Sequence, residues 1–161
     1  IYTSLSSAAS DVYKRQSMYL PGGHAYVYFT YGMHHCMNVV CGRRDEGVAV
    51  LIRALEPTEG LEAMAHRRPR ARRATDLCSG PAKLTQALAI DRELDGVDLR
   101  EDPRLGIERI RRGPLPDAQV LATPRIGVGY AGAWAREPLR FLLRGSPHVT
   151  PGAPRGLLAT S

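Results

Sequence analysis

The sequence predicts an α+β protein: one domain built on a mostly antiparallel β-sheet, with few helices and a protruding β-hairpin. Three observations carry this. Residues 25–30 are rich in β-branched and aromatic side chains with no breaker, residues 34–41 form a second such run, and Gly32 between them tolerates the positive φ of a tight turn. Further short apolar runs stand at 48–55, 105–110, 120–123 and 139–144, separated by Pro and Gly. Helical signals are confined to two stretches, 58–65 and 81–88.

Composition bounds the class. The chain has 161 residues, 43% hydrophobic and 24% charged, enough for one domain with a real core. No apolar run approaches the roughly 20 residues that span a bilayer. No basic region followed by an apolar core opens the chain, so secretion is not expected. The net charge of +6 favours a polyanionic partner, nucleic acid ahead of an acidic membrane, although a simply basic domain carries the same charge. Cys36, Cys41 and Cys78 are odd in number and unpaired in spacing, which argues for a reducing compartment.

Taken in order, residues 1–16 are polar and Ser-rich without a period and resemble a translated adaptor remnant, so a disordered or non-native leader is expected there. The domain then covers 17–149, and 150–161 form a flexible tail. Pro21, Gly22 and Gly23 turn the chain into the hairpin, which places Tyr31 at its tip. The run 48–55 is a strand interrupted by Arg53, which must face a rim or a polar site. Glu56 and Pro57 end it, and Thr58 is the expected cap of the first helix. Arg67, Arg68, Arg70, Arg72 and Arg73 surround Pro69 in a basic run that reads equally as a solvated loop or as phosphate contacts. Ser79 or Gly80 caps the second helix, Pro81 fits its first turn, and Lys83 lies close enough to its start to hold a phosphate. Asp95 and Gly96 centre a turn.

Several motifs fail on context. Residues 127–132 match G-x-G-x-x-G, but Pro124 ends the strand before them, and no acid stands about 20 residues beyond them, where the dinucleotide fingerprint needs one. His34 and Cys36 share a strand face but lack the third and fourth ligands that zinc requires, so no metal is expected. Cys78 with His24 rests on residue type alone. The hairpin is the better signal. Tyr26, Tyr28 and Thr30 face one way, and Ala25, Val27 and Phe29 the other. Stacking tyrosines, the Asn38 amide and a neighbouring arginine suit a nucleobase; a sheet core with tyrosine hydroxyls at the surface fits the same pattern.

At these residues the chain resembles the alkyladenine (3-methyladenine) DNA glycosylase family of base-excision repair. The matching blocks are residues 23–33, 36–38, 50–57, 77–88, 125–132, 138–141 and 144–147, within a span from Met18 to Val149. The resemblance implies roles. Tyr31 is the wedge that fills the gap left by a flipped nucleotide, with Met33 beside it on the DNA. Tyr28 stacks on the extruded base, and Asn38 rejects guanine through its exocyclic amine. Arg53 and the backbone carbonyl of Ile126 hold the attacking water. Lys83, Arg67 and Arg68 are the implied phosphate contacts, so Lys83 is no nucleophile. The implied reaction is hydrolysis of the N-glycosidic bond of an alkylated or deaminated purine in duplex DNA, by a monomer without metal or other cofactor and away from membranes. The implied compartment is the bacterial cytoplasm, with the nucleoid, or a eukaryotic nucleus. The family's general-base glutamate, a second stacking tyrosine and a base-contacting histidine belong upstream of the hairpin, yet residues 1–16 contain no Glu and no His. The expectation is therefore a family member truncated at its N-terminus that recognises damage but excises little, or a non-enzymatic nucleic-acid-binding module.

Overall fold

The computed structural model describes residues 16–149; the expected leader, apart from Gln16, and the tail at 150–161 lie outside them. Backbone contacts group the described residues into two compact units, divided between Glu108 and Arg109. Each carries its own antiparallel sheet, one of three strands and one of two, and the fold is α+β.

In the first unit β1 (Ala25–Thr30) and β2 (His34–Val40) form the expected hairpin, and β3 (Ala49–Leu51) pairs with the other edge of β2. Tyr26 pairs with Asn38, Tyr28 with Cys36, and Asn38 in turn with Leu51. The free edge of β1 is closed by the chain after the short 3-10 turn Arg92–Leu94. There Ala25 N donates to Val97 O, Gly96 N to Ala25 O, and the Asp95 carboxylate accepts from Val27 N and Ser17 Oγ. Those bonds satisfy an edge that would otherwise invite another strand.

Three helical stretches follow β3: α1 (Leu61–Arg67), α2 (Ala74–Leu77) and α3 (Pro81–Ala87). α1 starts later than expected. Its cap is Gly60 at φ 67, with no side chain in the capping role, so Thr58 is not the cap. α3 begins as the sequence indicates, with extended Gly80 before Pro81. Two apolar clusters hold the unit. Ala25, Val27 and Met37 from one face of the hairpin meet Ile90, Leu94 and Leu99. Met64, Leu77, Cys78, Leu84 and Ala87 gather the helices, and Leu88 packs on both clusters.

Two strand expectations are corrected. The run 48–55 is a strand only over Ala49–Leu51, because Leu55 N turns away to donate to Cys78 O. The run 105–110 is not a strand. Ile107 N donates to Leu99 O, but no strand lies alongside, and Ile107 and Ile110 are exposed. Apolar side chains cannot make a strand without a partner ladder to satisfy the backbone.

In the second unit β4 (Val120–Thr123) pairs with β5 (Arg140–Leu143), from Val120 opposite Leu143 to Thr123 opposite Arg140. Between them the glycine-rich segment winds into a kinked 3-10 stretch, Gly129–Ala135, rather than the α-helix that a dinucleotide fold would place there. Among the described residues no helix is long and apolar enough to cross a membrane.

Candidate functional site

The tip of the hairpin is Tyr31, Gly32 and Met33, closed by Met33 N donating to Thr30 O at 3.2 Å. Tyr31 holds φ 51 and Gly32 φ 65. Glycine adopts that region freely, whereas for a bulky aromatic it is a strained outlier. The Tyr31 side chain is 85% exposed and Met33 is exposed beside it. Two large side chains thus project from a tip that gives them no core to join.

Behind the tip, one face of the hairpin carries the other expected groups. Strand alternation puts Tyr26 and Tyr28 beside Asn38 and Cys36, and the two tyrosine rings lie 5.3 Å apart at 32°. Asn38 is 7% exposed, and its Nδ2 donates to the Tyr26 carbonyl at 3.0 Å. That bond fixes the amide against β1, so it presents one orientation. Ile52 N donates to Met37 O, carrying the ladder one step past β3 and bringing Arg53 towards Cys36. Burial pushes the Cys36 thiol up, while a hydrogen bond with the Tyr28 side chain and the Arg53 charge pull it part of the way back. Cys36, weighed in the sequence as a metal ligand and as part of the block 36–38, thus stands between Tyr28 and Arg53, on the face that carries Asn38. The two-residue period was the available signal, since Cys36 shares the face of Asn38.

The remaining candidates have other partners or stand apart. Arg67 Nη1 donates to Ala87 O and Arg68 Nη1 to Gln86 Oε1, tying the end of α1 to the end of α3. Part of the basic run is thus structural. Arg73 pairs with Asp76, and Arg70 and Arg72 are exposed. Lys83 is half-buried and its Nζ donates to Ser79 Oγ at 3.1 Å. Ile126 belongs to the second unit, between Arg125, which donates to Trp134 O, and Gly127 at φ 76. The His35 ring lies 4.9 Å from that of Phe29, tilted by 48°. Among the described residues no group of three or more His, Cys, Asp and Glu could hold a metal ion.

The site thus consists of a protruding aromatic tip, two adjacent tyrosine rings and a fixed amide on one hairpin. The family model described as Methylpurine-DNA glycosylase (MPG) matches residues 3–147, and the chain belongs to that family. The match opens at residue 3, upstream of the Met18 at which the block-by-block resemblance begins. The chain is 46% identical over 147 residues to a Homo sapiens protein named DNA-3-methyladenine glycosylase, which covers 85% of this chain and 48% of the human one. The Mus musculus protein of that name is 45% identical over 148 residues, covering 85% and 43%. A Burkholderia cenocepacia (strain HI2424) protein named Putative 3-methyladenine DNA glycosylase is 46% identical over 142 residues, covering 88% and 67%. The chain spans about half the length of the human and mouse relatives.

Proposed function

We propose that this chain recognises damaged purines in duplex DNA as part of a base-excision repair glycosylase. The observation that carries the reading is Tyr31, a strained aromatic presented to solvent above the Tyr28 and Asn38 face. In this reading Tyr31 enters the base stack, with Met33 beside it, and holds open the gap left by the extruded nucleotide. Tyr28 stacks on the extruded base, and the fixed Asn38 amide clashes with the exocyclic amine of guanine. Lys83, Arg67 and Arg68 meet phosphates with the donors their internal bonds leave over.

The reaction served is hydrolysis of the N-glycosidic bond. Water adds to the sugar carbon as positive charge develops on the sugar, and the base leaves with the bonding electron pair. An alkylated purine leaves as a neutral base, whereas hypoxanthine needs a proton first. Arg53 and the Ile126 carbonyl orient that water. In the family that this chain resembles, a glutamate upstream of the hairpin activates that water; residues 1–16 contain no Glu, and Glu56 stands in a block that matches another part of the family. We therefore assign to this sequence the recognition half of the site and weak excision by itself. The protein acts as a monomer on DNA, in a bacterial cytoplasm or a eukaryotic nucleus.

The test is binding and base release with the 161-residue chain on duplexes bearing hypoxanthine or ethenoadenine. Lesion duplex should bind more tightly than intact duplex, Tyr31→Ser should weaken lesion binding by about tenfold, and base release should stay near background. Equal affinity for intact and damaged duplex would overturn the reading in favour of a non-enzymatic binding module. Efficient base release would overturn the assignment of weak excision.

A further inference from the structure

The chain closes three of its arginines locally on aspartates: Arg73 with Asp76, Arg100 with Asp98 and Arg104 with Asp102. Among the described residues Arg109, Arg111 and Arg112 stand together without such a pair. The internal bond of the loop is Arg109 Nε donating to Arg111 O at 2.9 Å, which folds the segment on itself. Residues 109–112 then line an open concavity of about 440 Å³. Ile110, between the arginines, is 94% exposed.

Both features are unfavourable in water alone. Three like charges in four residues repel one another, and they amount to half of the net charge of +6. A bare isoleucine keeps its whole apolar surface hydrated. One ligand relieves both at once: a chain of phosphates with apolar sugar between them. Guanidinium groups grip phosphate oxygens in pairs, and an aliphatic side chain packs on deoxyribose. We infer that residues 109–112 form a second nucleic-acid contact, in which Arg109, Arg111 and Arg112 hold the phosphodiester backbone and Ile110 rests on its sugars. This rests on the reading that the chain binds duplex DNA. It goes beyond that reading in adding a contact indifferent to sequence and to damage, on a loop separate from the hairpin.

Phosphate contacts announce themselves through salt. Each phosphate neutralised releases counterions, so the slope of log affinity against log salt counts them. The measurement is affinity of the full chain for undamaged duplex from low to physiological salt. The Arg109→Ala/Arg111→Ala/Arg112→Ala variant should lose about 3 units of slope, and the triple Lys variant should keep most of it. Tyr31→Ser should leave the slope alone while abolishing the preference for lesion duplex. An unchanged slope in the triple Ala variant, with lesion preference intact, overturns the loop contact and leaves the hairpin reading standing. Lesion preference retained in Tyr31→Ser, with the slope still falling in the triple Ala variant, overturns the hairpin reading and supports the loop. Binding of anionic phospholipid vesicles that the triple Ala variant loses, with DNA affinity unaffected, assigns the loop to a membrane and overturns the inference.

Discussion

Tyr31 shows how one residue separates function from stability. A left-handed conformation costs an L-residue roughly 1–2 kcal/mol, and the ring recovers little of it because it is largely in solvent. Glycine at that position removes the strain and adds roughly 0.5–1 kcal/mol of backbone entropy to the unfolded chain. Tyr31→Gly should therefore unfold in urea at the same midpoint or up to about 1 kcal/mol later. It should also bind lesion duplex at least tenfold more weakly. A variant that lost both stability and binding would make the tip a structural turn and nothing more. Cys36 makes a second point at this scale. Burial holds it as a neutral thiol, so no anion forms beside Arg53 to cancel the charge the proposed water site needs. That inference was out of reach of the sequence, since desolvation depends on what covers the strand. The positions of Tyr28, Tyr31 and Asn38 were legible, because a two-residue period and one glycine define a hairpin and its faces.

At the scale of elements, the hairpin is tied to a helix rather than left to flex. Thr85 on α3 is 2% exposed, and its Oγ1 lies 2.9 Å from His35 O on β2, with Pro81 O and Ala82 O of its own helix also within 3.2 Å. The hydroxyl has one proton, and the strand carbonyl is the partner at the shortest distance. Thr85→Val preserves shape and removes that donor, leaving a carbonyl unsatisfied beside the core. It should lose about 1–2 kcal/mol in urea unfolding while far-UV circular dichroism is unchanged. A loss below a few tenths of a kcal/mol would mean that the hydroxyl back-bonds to its own helix alone. This tie explains which elements could be read in advance. α3 and the hairpin announce themselves through local signals: Pro81 after Gly80, and Gly32 between two strand-forming runs. The run 105–110 has as many apolar residues as β4, yet β4 has β5 beside it, whereas 105–110 has a single backbone bond, Ile107 N to Leu99 O, and no strand alongside. Strand formation is decided by a partner distant in sequence, which local composition does not reveal.

For the whole molecule the relevant quantity is charge. The sequence displays the net +6, but only the structure sorts arginines into those closed on aspartates and those left open. The closed pairs also make stability depend on acid. Hydrogen bonds from the Arg100 side chain and backbone hold the Asp98 carboxyl far below its usual range, and the same contacts from Arg104 hold Asp102 at about 2. Both carboxyls ionise more easily folded than unfolded. Their contribution is therefore complete above the unfolded value of about 4, and it is lost as pH falls through the folded values. The melting temperature should hold steady from neutral pH to about pH 5 as far as these pairs are concerned, then drop progressively below about pH 4. The pairs are exposed, so the drop is modest and shrinks at high salt. The difference between parent and Asp98→Asn/Asp102→Asn isolates it from other acids. That difference should be largest near neutral pH, shrink as pH falls below about 4, and vanish only below the folded values, where parent and variant are both uncharged at these positions. A difference that stayed constant across the whole range would show that the carboxylates act as turn acceptors for backbone N–H groups, a role that asparagine retains in part, and not through charge.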